Sequence, residues 1–311
     1  MNRPNRSVIL LILGLLLCIF ASIAGGQSPR AAVDAYNRAA ACYNKGDIDR
    51  AIAEFTRAIE ISSRPGNSQR DSTGLFNLDQ VKVLDPLAAA AYSNRGLMRF
   101  LKHDFDGAID DCTRALEINP RLADAYNYRG FSRSAKKEFG AALDDLNRAL
   151  AIDPRSSEAL INRGIAHTEK GDYDKAIADF DQAIKLKSRL ADAYFNRGFA
   201  LRGKGDRNEA LRDFDRALAI NPRLAIAYYG RGLVWHDLEN LVRAIPEFNR
   251  AIELDPQLSL AYASRGLALL RQGKDSQAEQ DIGLALTFDP SLKTDLEHRI
   301  ALIKGRRQKS Q

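Results

Sequence analysis

The residue types that most often carry catalysis or bind metals are few and scattered in this chain. Its 311 residues include 3 Cys and 4 His, and no spacing among them matches a zinc motif or a disulfide framework. His103, His167 and His236 fall at three different positions of the repeat described below, so they form no common site. The nucleophile elbow, the P-loop, H-E-x-x-H and Cys-x-x-Cys are absent from the sequence. We therefore predict that the chain is not an enzyme and holds no cofactor and no metal.

Arginine and acidic residues, in contrast, recur as matched pairs sixteen residues apart. A guanidinium and a carboxylate that face each other form a bidentate ion pair. We predict that each arginine reaches an acid within its own structural unit or on the adjoining one, which gives a ladder of ion pairs. The alternative is a solvated face whose charges are unrelated, and seven matched pairs disfavour it. The predicted pairs are Arg38 with Glu54, Arg95 with Asp111, Arg129 with Asp145, Arg163 with Asp179, Arg197 with Asp213, Arg231 with Glu247 and Arg265 with Asp281.

The elements that would position these pairs follow from a repeat of 34 residues. Fixed self-similarity at this period is diagnostic of a solenoid. If each unit is counted so that its glycine is position 8, small or apolar residues fall at positions 4, 8 and 11 and again at 20, 24 and 27. Each half therefore has one apolar helix face. A turn signal at positions 15 and 16 separates the halves, so each unit is predicted to be an antiparallel pair of helices. The glycines at position 8 are Gly96, Gly130, Gly164, Gly198, Gly232 and Gly266.

Small residues inside the predicted helices indicate close packing. Glycine at position 8 and alanine at position 20 would let the two helices of a unit approach each other. A glycine within a helix costs about 1 kcal/mol relative to alanine. Its recurrence in six units indicates that the gain from close packing exceeds this cost.

These residues resemble the tetratricopeptide repeat family, whose pattern is W-x2-L-G-x2-Y, then A-x3-F, A and P. The resemblance covers residues 33–62 as a first unit and residues 89–290 as units two to seven. It implies an all-α fold, a right-handed superhelical solenoid of antiparallel helix pairs with a C-terminal capping helix. The chain departs from the family at position 7, where leucine is usual and arginine stands in all seven units.

The remaining segments are assigned from their composition. Residues 25–32 are predicted to be a linker. Residues 63–88 are predicted to be an insertion, and we favour a tolerated loop over a short amphipathic piece that meets the groove or a partner. Residues 291–303 carry an apolar stripe and should form the solvating terminal helix. Residues 304–311 form a basic tail.

Residues 1–24 have the features of a secretory signal peptide. Arg3 and Arg6 precede an apolar run from Val8 to Phe20, and small residues follow it. The stretch 8–24 is short for a membrane span. We therefore favour cleavage and export, to a bacterial periplasm, over an uncleaved membrane anchor formed by that stretch.

The family resemblance also implies where a ligand would bind. In tetratricopeptide repeats the first helices line the concave side, and positions 2, 5, 9, 12 and 13 meet ligands there, next to a ligand-facing asparagine at position 6. This chain carries apolar and aromatic side chains at several of these positions, which implies an apolar groove for a peptide or partner protein. The alternative is that neighbouring first helices cover this stripe. The predicted groove residues are Asn94, Leu97, Phe131, Asn162, Ile165, Phe195, Asn196, Phe199, Tyr229, Leu233 and Leu267.

Two other classes of ligand are disfavoured. Family members that grip an acidic carboxyl terminus use Lys at position 5 and Asn at position 9, and this chain has neither. Nucleic-acid readers must neutralise phosphates, but the formal charge of +6 comes from the two ends and leaves residues 25–303 neutral. We expect an exported protein-binding scaffold. The first alternative is a membrane-tethered assembly factor, and the less favoured one is an enzyme with an unrecognised site. Peripheral membrane contact would involve only the N-terminal segment or the basic tail.

Overall fold

The computed structural model describes residues 27–63 and 78–309, and every regular element within them is a helix. Consecutive helices pack in pairs, and the fully described connections between them are short turns. The predicted all-α array of helix pairs is confirmed. In chain order the helices are α1 Gln27–Lys45, α2 Ile48–Ser62, α3 Leu78–Leu101, α4 Phe105–Ile118, α5 Ala123–Ala135, α6 Phe139–Ile152, α7 Ser157–Lys170, α8 Tyr173–Leu186, α9 Ala191–Lys204, α10 Arg207–Ile220, α11 Ala225–Asp237, α12 Leu241–Leu254, α13 Ser259–Arg271, α14 Asp275–Phe288 and α15 Lys293–Lys309.

The chain divides into two compact units, residues 1–170 and 171–311. Of the first unit the structure describes α1 to α7, and of the second α8 to α15. The odd-numbered helices up to α13 are the first helices of the repeats, and the even-numbered ones are the second helices. The boundary between the units therefore falls inside the fourth repeat, between α7 and α8.

The turn between the two helices of a repeat has the same feature in all seven repeats. Position 15 has a positive φ in every repeat. Four repeats place glycine there, as at Gly205 with a φ of 100°, because glycine enters this region without steric cost. His103, Lys137 and Glu239 fill the position in the other three, with φ values of 62°, 64° and 57°. The predicted break at this position is confirmed, and the left-handed residue is what reverses the chain between the two helices.

Position 8 is where the two helices of a repeat come closest. A Cβ atom at Gly130 would lie 2.8 Å from Cγ of Leu146 and 3.0 Å from the carbonyl oxygen of Ala142. Ala142 is the alanine at position 20 of the same repeat and is fully buried. Cβ atoms at Gly96 and Gly266 would meet the equivalent carbonyl oxygens at 3.1 and 3.2 Å. The predicted close approach is confirmed, since the second helix leaves no room for a side chain here.

Position 24 supplies the large core side chain that packs beside this contact. It is buried in six of the repeats, and burying one phenylalanine or leucine contributes about 1.5–3 kcal/mol. The residues at this position are Phe55, Cys112, Leu146, Phe180, Phe214 and Phe248.

Two predicted boundaries near the N-terminus are wrong. Helix α1 begins at Gln27, so most of the predicted linker 25–32 is helical. Helix α3 begins at Leu78, inside the predicted loop 63–88, and continues through Pro86. The segment LDQVKVLD that precedes this proline contains no glycine and no other proline. Proline inside a helix removes one hydrogen bond and clashes with the preceding turn, yet this helix continues through Pro86, which the sequence pattern takes as a stop. The signal peptide 1–24, the anchor 8–24 and residues 64–77 of the insertion lie outside the described residues.

The last helix, α15, covers the end of the second unit as the capping helix was predicted to do. Leu296 and Ile303 are buried in a cluster with Tyr262, Leu267 and Leu270 of α13. An array of this kind needs such a helix because its last repeat otherwise exposes an apolar face.

Residues 304–309 of the predicted basic tail 304–311 are helical, because α15 continues to Lys309. Nη1 of Arg307 donates to the carbonyl oxygen of Leu270 at 3.2 Å and to Oδ1 of Asp275 at 2.5 Å. This arginine therefore ties the capping helix to the turn of the last repeat. The four basic residues of the segment are compatible with a helix end because cations are favourable near helix C-termini.

Gly130 and Gly140 provide a matched test of the packing at position 8. A Cβ atom at Gly140, in α6, would meet no atom within 4 Å. We expect Gly130→Ala to lower the free energy of unfolding by about 1–3 kcal/mol because α6 must shift. Gly140→Ala should raise it by about 0.5 kcal/mol through helix propensity. Urea denaturation followed by circular dichroism measures both values, and equal effects of the two substitutions would contradict the close-packing account.

Candidate functional site

The predicted arginine–acid pairs join the first and second helices of a repeat at positions 7 and 23. Nε and Nη2 of Arg129 donate to the two carboxylate oxygens of Asp145 at 2.9 and 2.8 Å. This two-point contact is stronger and more directional than a single hydrogen bond. The same fork joins Arg95 with Asp111, Arg197 with Asp213, and Arg265 with Asp281, at distances between 2.6 and 2.8 Å.

The acids of these forks are buried, whereas the arginines lie at the edge of the core. The side chain of Asp145 is 3% exposed and that of Arg129 is 13% exposed. A buried carboxylate without a partner would be costly, and the fork compensates its charge. The effect on the arginine is visible in the last repeat, where the hydrogen bond to Asp281 raises the pKa of Arg265.

The remaining guanidinium nitrogen reaches the preceding repeat. Nη1 of Arg129 donates to Oγ1 of Thr113 at 3.1 Å, and Nη1 of Arg197 donates to Oδ1 of Asp181 at 2.5 Å. In each case the acceptor is position 25 of the repeat before. One guanidinium therefore ties two consecutive repeats together. The equivalent contacts are Arg95 to Thr56, Arg163 to Asn147, Arg231 to Asp215 and Arg265 to Asn249.

The guanidinium also lies over an aromatic ring of its own helix. Cζ of Arg129 is 5.5 Å from the ring centroid of Tyr126, which is position 4 of the same repeat. A cation over an aromatic face contributes about 0.5–1 kcal/mol at an exposed site. The same contact joins Arg95 with Tyr92, Arg197 with Tyr194, Arg231 with Tyr228 and Arg265 with Tyr262, at 5.3 to 5.6 Å.

Two of the predicted pairs depart from the fork. In the sixth repeat Glu247 accepts only from Nη2 of Arg231, at 2.9 Å, and the buried Nε of this arginine has no hydrogen-bond partner among the described residues. In the first repeat Nε of Arg38 donates to Glu54 at 3.0 Å, and the arginine side chain is 48% exposed. The fourth pair is divided between the units, with Arg163 in the first and Asp179 in the second.

The sequence pattern located the arginine and its acid but missed the other two partners. A signal for both was present. Position 25 carries a side-chain oxygen in each of the first six repeats. Tyrosine stands at position 4 in five of the repeats two to seven. These regularities identify position 25, which accepts a hydrogen bond from the arginine of the next repeat. They also identify the tyrosine at position 4, whose ring lies one helical turn before the arginine.

The predicted groove residues lie on consecutive first helices and are mostly covered. Leu97, Asn162, Tyr229 and Leu267 are buried. The seven others are partly exposed, and none has the exposure of a free surface side chain. Asn94, Leu97, Phe131, Asn162 and Ile165 belong to the first unit, and Phe195, Asn196, Phe199, Tyr229, Leu233 and Leu267 belong to the second.

Contacts of these side chains with their neighbours account for the burial. The ring of Phe131 on α5 packs against Phe100 on α3 with centroids 4.4 Å apart. In the second unit Phe199 lies 4.9 Å from Phe195 and 5.3 Å from Phe214, measured between centroids. The stripe is therefore a packing surface between helices as well as a partly accessible face.

The asparagines at position 6 also hold helices together. Nδ2 of Asn94 donates to the phenolic oxygen of Tyr36 at 2.5 Å, and Nδ2 of Asn162 donates to Oδ1 of Asn127 at 2.9 Å. Both bonds join neighbouring first helices of the first unit. Asn196 instead donates to a backbone carbonyl of its own helix, at 2.8 Å. Two of the three predicted ligand-facing asparagines thus bridge repeats.

The described large apolar side chains with the greatest exposure lie outside the groove set. Val242, on a second helix, is 80% exposed. The full set is Ile118, Ile152, Leu238, Val242, Leu260, Leu284, Phe288 and Leu302.

Over residues 27–63 and 78–309, no three His, Cys, Asp or Glu side chains come together as metal ligands. No helix in those segments has the length and apolarity of a membrane span. One open cavity of the second unit is lined by Asp181, Arg197 and Asp213, whose charges already pair with one another. The described residues therefore offer an ion-pair ladder and a partly covered first-helix stripe.

Family models for this type of repeat match several parts of the array. A model described as TPR repeat matches residues 164–205. Models described as tetratricopeptide repeat match residues 35–65, 89–122, 146–178 and 195–259. Together the matches cover more than half of the chain. No curated protein matches the sequence.

Several solved structures have a similar fold. A tetratricopeptide repeat protein from Parabacteroides merdae is 22% identical and covers 90% of this chain and 100% of its own, with a TM-score of 0.66. PilF of Pseudomonas aeruginosa is 20% identical and covers 73% of this chain and 99% of its own, with a TM-score of 0.56. A thermophilic TPR protein of Thermus thermophilus is 20% identical and covers 59% of this chain and 100% of its own, with a TM-score of 0.54. At these identities the similarity shows the fold alone.

Asp145→Asn should destabilise the chain, and Asp110→Asn should not. Asp145 accepts from Arg129 and also from Nη1 of Arg133, at 2.7 Å, so the neutral amide leaves two guanidiniums without their counter-charge. We expect the free energy of unfolding to fall by about 2–3 kcal/mol. Asp110 is exposed on α4, and its amide variant should change stability by less than about 0.5 kcal/mol. Urea denaturation measures both, and equal stabilities would show that the forks do not stabilise the array.

Proposed function

Because this chain belongs to the tetratricopeptide repeat family, we propose that it is an exported scaffold that binds a peptide or a partner protein along its first helices. Arrays of this family act in general as protein–protein interaction scaffolds and are generally not enzymes. Stacking of repeats produces an extended binding surface, which suits this role.

A partly accessible apolar stripe on successive first helices carries the proposal. In the second unit Phe195, Phe199 and Leu233 each keep part of their surface exposed, and Leu260 on the next first helix is 40% exposed. Accessible apolar surface that continues from one element to the next is typical of binding sites. The burial of the remaining stripe residues keeps the accessible ones in fixed positions, which lowers the entropy cost of binding.

The polar rim of this stripe is also held in place. Nε and Nη2 of Arg202 donate to the two carboxylate oxygens of Asp237 at 2.6 and 3.1 Å. Burial acts to raise the pKa of Asp237, but the neighbouring His236 and the hydrogen bonds from Arg202 lower it to about 2. The ion pair between Arg202 and Asp237 is therefore charged and intact at neutral pH. An apolar stripe with a fixed polar rim suits a ligand that lays one apolar face into a groove, such as an amphipathic helix.

The neutral charge of residues 25–303 supports protein over nucleic acid as the partner, because phosphate binding needs a basic face. Contact with a membrane surface would come from the apolar N-terminal segment or from the basic residues of 304–311. Of the latter, Arg307 already pairs with Asp275.

Export to a bacterial periplasm is proposed from the N-terminal sequence. The alternative is an assembly factor tethered by residues 8–24. Amino-terminal sequencing of the mature protein separates the two. Export with cleavage predicts a mature chain that begins near residue 25, and an intact Met1 would favour the tether.

A matched pair of substitutions, each of which introduces one negative charge, tests the binding surface. Leu233→Glu places a carboxylate in the stripe, and Val242→Glu makes the same change at a side chain that is 80% exposed on α12. Tagged full-length protein is incubated with the exported fraction of the source cells, and retained proteins are quantified by mass spectrometry. We expect Leu233→Glu to reduce recovery of the specific partner at least tenfold, or about 1.4 kcal/mol, and Val242→Glu to leave it unchanged.

Thermal melting by circular dichroism first establishes that both variants are folded. If Leu233→Glu is unfolded, Leu233→Ser serves in its place as the smaller change. Equal partner recovery with folded stripe and control variants would contradict binding along the first helices.

A further inference from the structure

The turns between the two helices of successive repeats form one edge of the second unit. Contacts between neighbouring turns place them side by side. Nζ of Lys204 lies 2.9 Å from Oδ1 of Asp174 at the turn of repeat four, and the guanidinium of Arg202 forks onto Asp237 of repeat six. We call positions 12–19 of repeats five, six and seven the turn edge, which comprises residues 202–209, 236–243 and 270–277.

Repeat six differs from the other repeats at this edge. Position 14 is lysine in repeats one to five, and position 18 is aspartate, glycine, asparagine or serine in every repeat except the sixth. Leu238 and Val242 fill these two positions in repeat six, and their side chains are 43% and 80% exposed. Elsewhere the lysine pairs with the aspartate of the preceding repeat at 2.5 to 2.9 Å, as Lys102 with Asp49, Lys136 with Asp106 and Lys204 with Asp174. Two exposed apolar side chains therefore replace the charges that this edge otherwise carries.

Basic side chains predominate on the rest of the turn edge. Four of them are exposed and form no ion pair with a described residue: Arg207, Arg243, Arg271 and Lys274. Of the described acids at this edge, Glu239 alone has no ion pair. The others are paired, as Asp206 with Lys204, Glu209 with Arg212, Asp237 with Arg202 and Asp275 with Arg307. The edge therefore has a surplus of positive charge around its two exposed apolar side chains.

The C-terminal end of α15 adds to this surplus. Nη1 of Arg307 donates to the carbonyl oxygen of Leu270 at 3.2 Å and to Asp275 at 2.5 Å. The capping helix therefore ends beside the turn of repeat seven. Lys304 and Arg306, on the same helix, are exposed. Clusters of basic side chains such as this one are attracted to anionic lipids.

An anionic lipid surface fits this edge better than a peptide or a second copy of the chain. A side chain that is 80% exposed protrudes, so Val242 lines no groove for a peptide. A second copy that docked through the same edge would bring like-charged basic side chains together. A lipid surface yields around protruding apolar side chains, and its anionic headgroups attract the basic ones.

We propose that the turn edge docks on an anionic lipid surface, with Leu238 and Val242 entering the interfacial layer and the basic side chains around them contacting lipid phosphates. This contact goes beyond the proposed peptide binding, because it uses the turns of the repeats and not the first-helix stripe. It also adds a folded surface to residues 304–309 as a means of membrane contact.

Trp235 reports on this contact because it is the single tryptophan of the chain. It lies near the end of α11, and Cζ of Arg243 is 4.7 Å from its ring centroid. The mature protein from the exported fraction is mixed with vesicles of phosphatidylcholine that contain about one third phosphatidylglycerol and a nitroxide-labelled lipid. We expect these vesicles to quench the fluorescence of Trp235 and vesicles without phosphatidylglycerol to leave it unchanged. Salt at about 0.5 M should weaken the binding about tenfold because it screens the basic side chains.

Two matched pairs of variants locate the contact. Leu284 is 42% exposed on α14 and lies outside the turn edge. We expect Val242→Glu to weaken partition into the anionic vesicles at least about tenfold, because a carboxylate replaces apolar surface that enters the lipid, and Leu284→Glu to have little effect. Thermal melting by circular dichroism establishes that both variants are folded, and Leu238→Ser replaces Val242→Glu if the latter is not.

The second pair removes two positive charges from either end of the helix pairs. Arg207→Gln combined with Lys274→Gln removes them from the turn edge, whereas Arg189→Gln combined with Arg223→Gln removes them from exposed sites between repeats. We expect the first combination to weaken partition about tenfold and the second to weaken it much less. Equal losses would show that net charge, and not the turn edge, attracts the protein to lipid.

The remaining outcomes overturn the proposal and leave the proposed function intact. The wild-type protein might be expected to bind only if the edge is a lipid contact, so absence of binding to anionic vesicles would contradict it. Binding without quenching of Trp235 would place the contact elsewhere on the chain. Self-association that Val242→Glu abolishes, without vesicle binding, would assign the edge to a second copy. Recovery of a partner through the first-helix stripe is measured separately and does not depend on any of these results.

Discussion

Consecutive repeats of this array are joined by one arginine side chain. Its Nε and Nη2 bind the acid of its own second helix, its Nη1 binds a side-chain oxygen of the repeat before, and its face lies over a tyrosine of its own helix. Hydrophobic packing at positions 8, 20 and 24 holds each helix pair together but is largely non-directional. The planar guanidinium adds direction, because it satisfies all these partners only when neighbouring repeats keep one relative placement.

This arrangement leaves the first-helix stripe available for recognition. Position 7 lies on roughly the opposite side of a helix from position 9, so the arginine contacts do not occupy the face that carries Phe131 or Leu233. Asparagine and aromatic contacts cover part of that face, and the parts that stay accessible are therefore fixed by the fold.

Much of the fold follows from the sequence because the repeat presents each interaction many times. Glycine at position 8, the turn at position 15 and the arginine–acid spacing recur in register, so each is distinguished from chance. The single features were harder to predict. Pro86 lies inside a helix that continues on both sides of it. Arg307 contacts Asp275 only because α15 packs against the last repeat. The exposure of the stripe was likewise not predictable, because it depends on how closely neighbouring first helices approach. No periodic pattern encodes that distance.

Double-mutant cycles on Arg197 test the central role of the arginine most directly. One cycle pairs Arg197→Ala with Asp213→Ala, whose side chain is 7% exposed, and the other pairs it with Asp181→Ala, which is 55% exposed. The account predicts a coupling energy of about 2 kcal/mol to the buried acid of its own repeat. It predicts a smaller but measurable coupling, below about 1 kcal/mol, to the exposed acid of the preceding repeat. A coupling to Asp213 that cannot be distinguished from zero would contradict the claim that these arginines hold the array together.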